Sequence, residues 1–145
     1  LGDVYKRQGW PLYALKLYGL WFDVGTPNEL IRAQNELIAK RMDLPFTIPA
    51  GQVTLEGGYI FDTAKTQSKI TETVICHQSV VGKDCNIENS LIMNNSVIGD
   101  NTIIKNSVIG NNVKIAANCV LTGCVVGDNI TIESGRNLTE QKIDS

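Results

Sequence analysis

Aliphatic residues recur with a period of 17 through the second half of the chain, and this repeat restricts the fold more than any other feature. After a first step of five residues, their spacing follows the series 6, 6, 5 up to position 132. The members of the series are Ile70, Ile75, Val81, Ile87, Ile92, Ile98, Ile104, Ile109, Ile115, Leu121, Val126 and Ile132. A fixed period of this length indicates stacked coils that bury their apolar residues on one another.

Each unit of the repeat contains three apolar positions separated by short polar segments. Segments of five or six residues are too short to hold a helix between strands, so we expect the aliphatic side chains to point inward. Asn and Gly tolerate left-handed backbone angles and therefore suit the corners between strands. Asn recurs in register at positions 89/106, 94/111, 95/112/129 and 101/118. The pattern predicts a mainly β fold in which three walls of parallel strands form a triangular prism.

Composition excludes several classes of function. The chain has 145 residues and a formal net charge of −2, and it lacks the basic stripe expected of a nucleic-acid-binding protein. Its apolar runs are too short to span a bilayer, so we predict no membrane partner. The four cysteines form no CxxC pair, and we interpret them as small buried residues of a cytoplasmic protein. Cys85 and Cys119 lie two coils apart, or about 9–10 Å, which is too far for a disulfide.

The sequence divides into five segments. Residues 1–8 resemble a translated sequencing-adapter remnant, so we interpret them as an artefact and expect the true N-terminus to be missing. Residues 9–43 form a first structured segment, and residues 44–63 are a Pro- and Gly-containing linker. The coils are expected over 64–135, and residues 136–145 form a polar tail.

A helix is predicted at the end of the first segment. Thr26 is a good N-cap, Pro27 suits the first helical position, and Glu29 completes a capping box. Helical spacing then predicts an apolar stripe formed by Leu30, Ala33, Leu37 and Ile38, with Met42 as a further candidate. Such a stripe needs a partner, so we expect the helix either to pack on the first coils or to be poorly ordered.

Two resemblances connect these patterns to known families. The coil pattern resembles the hexapeptide repeat of left-handed parallel β-helices. The segment Trp21–Pro27, with the sequence WFDVGTP, resembles the W-x-D-[VIT]-G-T-P motif of sugar-1-phosphate nucleotidylyltransferases, many of which continue into such a β-helix. The resemblance implies a left-handed β-helix preceded by a truncated α/β nucleotidyltransferase remnant with one helix.

The resemblance also implies a chemistry. Members of that family form a nucleotide-sugar and pyrophosphate from a nucleoside triphosphate and a sugar 1-phosphate, with Mg²⁺ held by two aspartates. Asp23 matches the second of these aspartates, and Trp21 and Gly25 would lie near the site. The Gly-rich nucleotide loop and the first metal aspartate have no counterpart here, so we expect the chain by itself to be inactive. The coils would serve assembly and regulation, in a homo-oligomer.

Two other classes of function remain open. Hexapeptide acyltransferases use a coil histidine as general base, and His77 is the candidate here because it follows Ile75 by two positions. The third class is a non-catalytic scaffold, as in the translation-factor subunits that resemble these transferases. In that case Asp23 would be idle.

Overall fold

The computed structural model describes residues 22–39 and 47–144 of the chain. Helix α1 spans Pro27–Ala39 and is followed by short β-strands of two or three residues each. The strands belong to three sheets, which we call A, B and C. Residues 1–8, 9–21 and 40–43 lie outside the described residues, so the assignments made for them stay predictions.

Sheet A has seven strands, in the order β1 (Gly51–Val53), β2 (Tyr59–Phe61), β5 (Val74–Ile75), β8 (Leu91–Ile92), β11 (Val108–Ile109), β14 (Val125–Val126) and β17 (Lys142–Ile143). Sheet B has five strands, β3 (Lys65–Thr66), β6 (Val80–Val81), β9 (Val97–Ile98), β12 (Lys114–Ile115) and β15 (Thr131–Ile132). Sheet C has five strands, β4 (Lys69–Thr71), β7 (Asn86–Glu88), β10 (Ile103–Lys105), β13 (Val120–Thr122) and β16 (Asn137–Thr139).

The chain visits the three sheets in turn, so each coil contributes one strand to each wall. Only β1 and β2 pair antiparallel among the strands described; every other pairing is parallel. The fold is therefore a parallel β-solenoid of about five turns with the predicted spacing of about 17 residues.

The aliphatic residues form vertical files inside the solenoid. In sheet C, Ile70, Ile87, Ile104, Leu121 and Leu138 are register partners on successive strands. All five are buried and belong to one continuous core cluster with the inward residues of sheets A and B. The prediction that the 17-residue period stacks equivalent side chains in one dry interior is confirmed.

The corners use the left-handed backbone conformation that the asparagines predicted. Positive φ angles occur at Asn89, Asn95, Asn101, Asn106, Asn112, Asn118 and Asn129. Side-chain amides bond from coil to coil there: Asn89 Nδ2 donates to Asn106 Oδ1 at 2.8 Å and Asn112 Nδ2 to Asn129 Oδ1 at 3.1 Å. Positions 94 and 111 are also linked side chain to side chain, although they lie outside the positive-φ set.

Small polar residues inside the corners satisfy backbone groups that the turns leave free. Ser90 Oγ donates to the carbonyl of Glu88 at 2.7 Å and accepts the backbone N–H of Ser107 at 3.1 Å. Thr73 makes the equivalent hydrogen bond one coil earlier, since its Oγ1 accepts the backbone N–H of Ser90. Buried polar groups must be paired to be tolerated, so these ladders explain why Ser and Thr occupy fully buried positions.

The stack extends beyond the bounds predicted for it, 64–135. Strand β2 lies inside the predicted linker 44–63 and pairs parallel with β5. Strands β16 and β17 lie inside the predicted tail and pair with β13 and β14. The reason is that Leu138 and Ile143 continue the inward files after Leu121 and Val126, although the residues between them are polar. The inward files therefore continue through parts of the segments predicted as linker and tail.

Candidate functional site

The segment before α1 holds the residues that the sequence singled out for chemistry. Phe22, Asp23, Val24 and Gly25 have no regular secondary structure, and Asp23 is exposed to solvent. A Cβ built on Gly25 would lie 3.7 Å from Asp23 Oδ1, which is ordinary contact distance. The absence of a side chain at Gly25 is therefore not required by packing within this segment. Trp21 lies outside the described residues.

Thr26 fixes the junction between this segment and the helix. Its Oγ1 accepts the backbone N–H of Glu29 at 3.2 Å, and its carbonyl accepts the N–H of Leu30 at 3.0 Å. The predicted N-cap is confirmed. The Glu29 side chain forms an exposed ion pair with Arg32 at 3.6 Å. The Arg32 guanidinium also lies 5.7 Å above the centre of the Phe22 ring, which connects the loop to the first turns of the helix.

The helix packs on the outer face of sheet A, which is one of the two outcomes expected for it. Ile31 is 1% exposed and shares a buried cluster with Tyr59, Val74, Leu91 and Val108. The last three are outward residues of successive sheet A strands. The segment carrying Asp23 is thereby attached to the solenoid through the helix.

The face of α1 that contacts the solenoid differs from the predicted stripe of Leu30, Ala33, Leu37 and Ile38. Ala33 is buried and Leu30 and Ile38 pack at the margin, but Leu37 is 38% exposed. The face towards the solenoid is Ile31, Gln34, Asn35 and Ile38, which has the i, i+3, i+4, i+7 spacing of one helical side. Two of its four members are polar, so a search for apolar periodicity misses it.

The two polar residues of this face bond to the solenoid. Asn35 Nδ2 donates to Asn89 Oδ1 at 3.2 Å, and Gln34 Nε2 donates to the carbonyl of Ser90 at 3.4 Å. Asn35 Oδ1 is buried and has no hydrogen-bond partner among the described residues. These contacts were not predicted, and the only signal for them was the pair Ile31 and Ile38 flanking Gln34 and Asn35 at helical spacing.

A polar groove of about 500 Å³ runs between α1 and the first coils. It is lined by Asn28, Arg32, Asn35, Gly57, Glu72 and Asn89, among others. Its lining is a mixture of amides and charged groups of both signs, and it lies beside the helix that follows Asp23.

The described residues do not test the metal role predicted for Asp23. They contain no group of three His, Cys, Asp or Glu side chains close enough to hold a metal ion together. Mg²⁺ requires only one or two protein carboxylates when phosphate oxygens and waters provide its other ligands. A single exposed carboxylate at the end of a loop therefore fits one half of such a site, and the metal role of Asp23 stays a prediction.

His77 lies in the corner after β5. Its Nδ1 is 3.0 Å from Thr63 Oγ1 and 3.6 Å from Asp62 Oδ1, and its side chain is 42% exposed. The ring centre is 4.5 Å from that of Phe61. These contacts orient the imidazole through Nδ1, while no contact recorded for the described residues joins it to the Asp23 segment.

The four cysteines form no disulfide. Cys85, Cys119 and Cys124 are buried and hydrogen-bond to backbone carbonyls of neighbouring coils, as the interpretation of small buried residues predicted. Cys76 is half-buried on the outer face of sheet A, and burial raises the pKa of its thiol from 9.0 to about 11. Because the thiolate is the reactive form, Cys76 is a poor candidate for a nucleophile at neutral pH.

Within residues 22–39 and 47–144, the structure contains no helix with the length and apolar content needed to cross a membrane.

Comparison with protein families matches the solenoid region of the chain. A family model described as the GMPPB C-terminal domain matches residues 58–144, which comprise the solenoid from β2 to β17. No curated protein sequence gives a significant match.

Proposed function

Because the chain belongs to the family of the GMPPB C-terminal domain, the left-handed β-helix of mannose-1-phosphate guanylyltransferase beta, we propose that it acts as the C-terminal part of a nucleotidylyltransferase. The reaction would join a nucleoside triphosphate and a sugar 1-phosphate to give a nucleotide-sugar and pyrophosphate. The family name favours GTP and mannose 1-phosphate as the substrates to test first; glucose 1-phosphate with its nucleotide is the alternative pair.

One observation supports this proposal most strongly. Helix α1 begins four residues after Asp23 and packs on sheet A through Ile31, Gln34 and Asn35. A loop that resembles the nucleotidylyltransferase motif is thus linked through α1 to a solenoid of the GMPPB C-terminal domain family. Motif and solenoid could each occur by chance, but a packed interface between them indicates one functional unit.

Asp23 would contribute one carboxylate to a Mg²⁺ site in the intact enzyme. The ion supplies positive charge that stabilises the transferring phosphoryl group. The N-terminus of α1 follows immediately, and its free N–H groups favour anions such as phosphate oxygens. Thr26 Oγ1 already occupies the N–H of Glu29. Gly25 leaves the backbone of the segment open to a neighbouring substrate.

The solenoid would serve assembly and regulation. Val80 and Val97 project from the outer face of sheet B and are 40% and 44% exposed. They are register partners on neighbouring strands, so they form one small apolar patch. A homo-oligomer would cover such a patch, and the molar mass measured by light scattering for the Val80→Asp and Val97→Asp variants tests this assignment.

Pyrophosphate release tests the enzymatic proposal. We expect none from this chain alone with Mg²⁺, GTP and mannose 1-phosphate, because no Gly-rich nucleotide loop is present in the sequence. The longer enzyme that contains it should release pyrophosphate, and Asp23→Asn should abolish most of that activity. Asp84→Asn is the matched control, since it makes the same carboxylate-to-amide change at an exposed corner with a φ of 55° that Asn accepts. Equal activities for the two variants would remove Asp23 from the mechanism.

The orientation of His77 by Asp62 and Thr63 favours acyl transfer as a second candidate. A carboxylate near Nδ1 leaves Nε2 free to accept a proton from an acceptor hydroxyl or amine. Under this hypothesis His77→Ala abolishes acyl transfer from an acyl-thioester donor, while pyrophosphate release is unchanged. The scaffold hypothesis predicts instead that Asp23→Asn and His77→Ala both leave the function of the longer protein intact.

A further inference from the structure

The outer face of sheet A is a repetitive surface. Val74, Leu91, Val108 and Val125 occupy equivalent outward positions at intervals of 17 residues. Ile31 shares its buried cluster with the first three. If α1 moved by one coil, about 4.8 Å, the file facing it would still be apolar, because Val125 continues the file after Val108. Since apolar contact is not directional, it does not by itself select the coil on which the helix lies.

Corner positions 72, 89, 106 and 123 form a vertical file on the surface of the solenoid. The first amide of this file, Asn89, offers a directional contact. Asn106 Oδ1 accepts a hydrogen bond from Asn89 Nδ2. One coil before Asn89 stands Glu72, whose side chain carries no N–H group to donate. Asn89 Oδ1 therefore receives no donor from its own file, and it is the atom to which Asn35 Nδ2 donates. Asn89 is therefore the asparagine of this file whose Oδ1 accepts no hydrogen bond from the preceding coil, and α1 docks at its coil.

The helix carries the Asp23 segment with it. Thr26 caps the first turn, and Arg32 lies over the Phe22 ring, so the loop is attached to α1 at its two ends. A helix is rigid along its axis, so displacement of Asn35 by one coil would displace Asp23 by a similar distance of about 4.8 Å. A misplacement of about 1 Å is already sufficient to slow an enzymatic step by a factor of about 100.

We propose that Asn89 is a positioning residue for Asp23, acting through Asn35. It selects the coil on which α1 docks and thereby sets the height of the Asp23 segment along the solenoid. The part of this inference that concerns a metal site rests on the proposed function. The part that concerns docking stands on the described contacts alone.

Two matched variants test the docking part in the chain as it is. Asn89→Gly and Asn106→Gly make the same change at neighbouring positions of one file, with φ angles of 45° and 50°. Glycine is free of strain there, and Gly123 already occupies the next position of the file with a φ of 65°. Both variants lose the side-chain hydrogen bond between Asn89 and Asn106, but only Asn89→Gly loses the hydrogen bond to Asn35.

Amide exchange and backbone chemical shifts are the readouts. We expect Asn89→Gly to speed exchange in α1 about fivefold, the effect of losing one hydrogen bond, and to shift the resonances of Val24 and Gly25. Asn106→Gly should leave both readouts as in the parent chain. Asn89→Asp keeps an acceptor for Asn35 and should restore the parent values. Equal effects of Asn89→Gly and Asn106→Gly would overturn the inference.

Kinetics of the longer enzyme test the metal part. Asn89→Gly should raise the KM for Mg²⁺ more than it lowers kcat, and Asn106→Gly should change neither. If the enzyme releases pyrophosphate and the two variants share one KM for Mg²⁺, positioning of the metal site is refuted and the proposed function stands. If the unmodified enzyme releases no pyrophosphate, the proposed function fails, and exchange in α1 still decides whether Asn89 sets the loop.

Discussion

Ile103 and Ile104 are adjacent residues of strand β10, yet they face opposite sides of sheet C. Ile104 is fully buried in the interior of the solenoid, while Ile103 is half-buried on the outer surface. Their register partners alternate in the same way, since Ile104 pairs with Ile87 and Leu121 and Ile103 pairs with Asn86 and Val120. The period of two along each strand thus separates core from surface, and the period of 17 repeats that separation from coil to coil.

This pair predicts a large difference in stability between two identical substitutions. Ile104→Ala should lower the free energy of unfolding by about 2–5 kcal/mol, because it leaves a cavity among rigidly stacked neighbours. Ile103→Ala should cost less than half as much, since water can occupy the space it leaves. Urea denaturation followed by circular dichroism measures both values. Similar losses for the two variants would contradict the interior position of Ile104.

Glu72 occupies a corner that suits asparagine better. Its φ is 45°, and the following residues of the same file are Asn89, Asn106 and Gly123. Glu72→Asn should raise the free energy of unfolding by about 0.5–1 kcal/mol, because a left-handed backbone disfavours most side chains by about 1–2 kcal/mol.

Thermal or urea denaturation of the Glu72 variant gives the answer. The reverse change Asn112→Glu, at a φ of 56°, is the matched test and should be destabilising. If Glu72→Asn leaves the stability unchanged, backbone strain at this corner is negligible.

The N-cap of α1 gives a third prediction. Thr26→Ala removes the acceptor for the N–H of Glu29 and should destabilise the helix by about 1 kcal/mol. Amide exchange should therefore accelerate in α1 and remain unchanged at core residues such as Ile104 and Leu121. Thr26→Ser keeps the hydroxyl and serves as the control. A Thr26→Ser variant that exchanges as fast as Thr26→Ala would show that the hydroxyl does not cap the helix.

Cys76 predicts a pH dependence of stability. Burial raises the pKa of its thiol from 9.0 to about 11, so the folded protein retains this proton at pH values where the unfolded chain has lost it. The contribution to stability is complete below pH 9 and is lost as the pH rises from about 9 towards 11. Cys76→Ser does not titrate in this window, so its stability should fall less steeply.

Alkylation supplies an independent measurement for Cys76. Its rate constant in the folded protein should rise with pH towards a midpoint near 11. A midpoint near the ordinary value of 9.0 would show that the thiol is well solvated. Cys85, Cys119 and Cys124 should remain unmodified until the solenoid unfolds, because they are buried.

The solenoid could be predicted from sequence because every coil repeats the same pattern of inward and corner residues. The inward positions are aliphatic and most left-handed corners are Asn or Gly. The same structural signal therefore occurs several times along the sequence. The prediction weakened at the ends of the stack. Leu138 and Ile143 pack in the interior like the residues of their files, and Tyr59 packs on the outer face of sheet A. The residues that surround them in the sequence, however, do not show the 17-residue pattern.

The docking of α1 could not be predicted in the same way. Helical periodicity favoured Leu37, but the tertiary contact uses Ile31, Gln34 and Asn35 instead. A sequence analysis normally places an Asn or Gln side chain of a helix on the solvent-exposed side. Such a residue lies in an interface only if a hydrogen-bond acceptor is located opposite it along the solenoid. Here that acceptor is Asn89, more than fifty residues later in the chain.

The sequence alone therefore determined the β-solenoid, because stacking depends on a local period that every coil carries. It also determined the N-cap of α1 and the candidate role of Asp23, since these depend on a few adjacent residues. The tertiary structure decided which side of α1 contacts the solenoid, on which coil it lies, and that strands form within the segments predicted as linker and tail. Those features depend on pairs of residues distant in sequence, and a hydrogen bond between two such residues leaves no periodic trace in either segment.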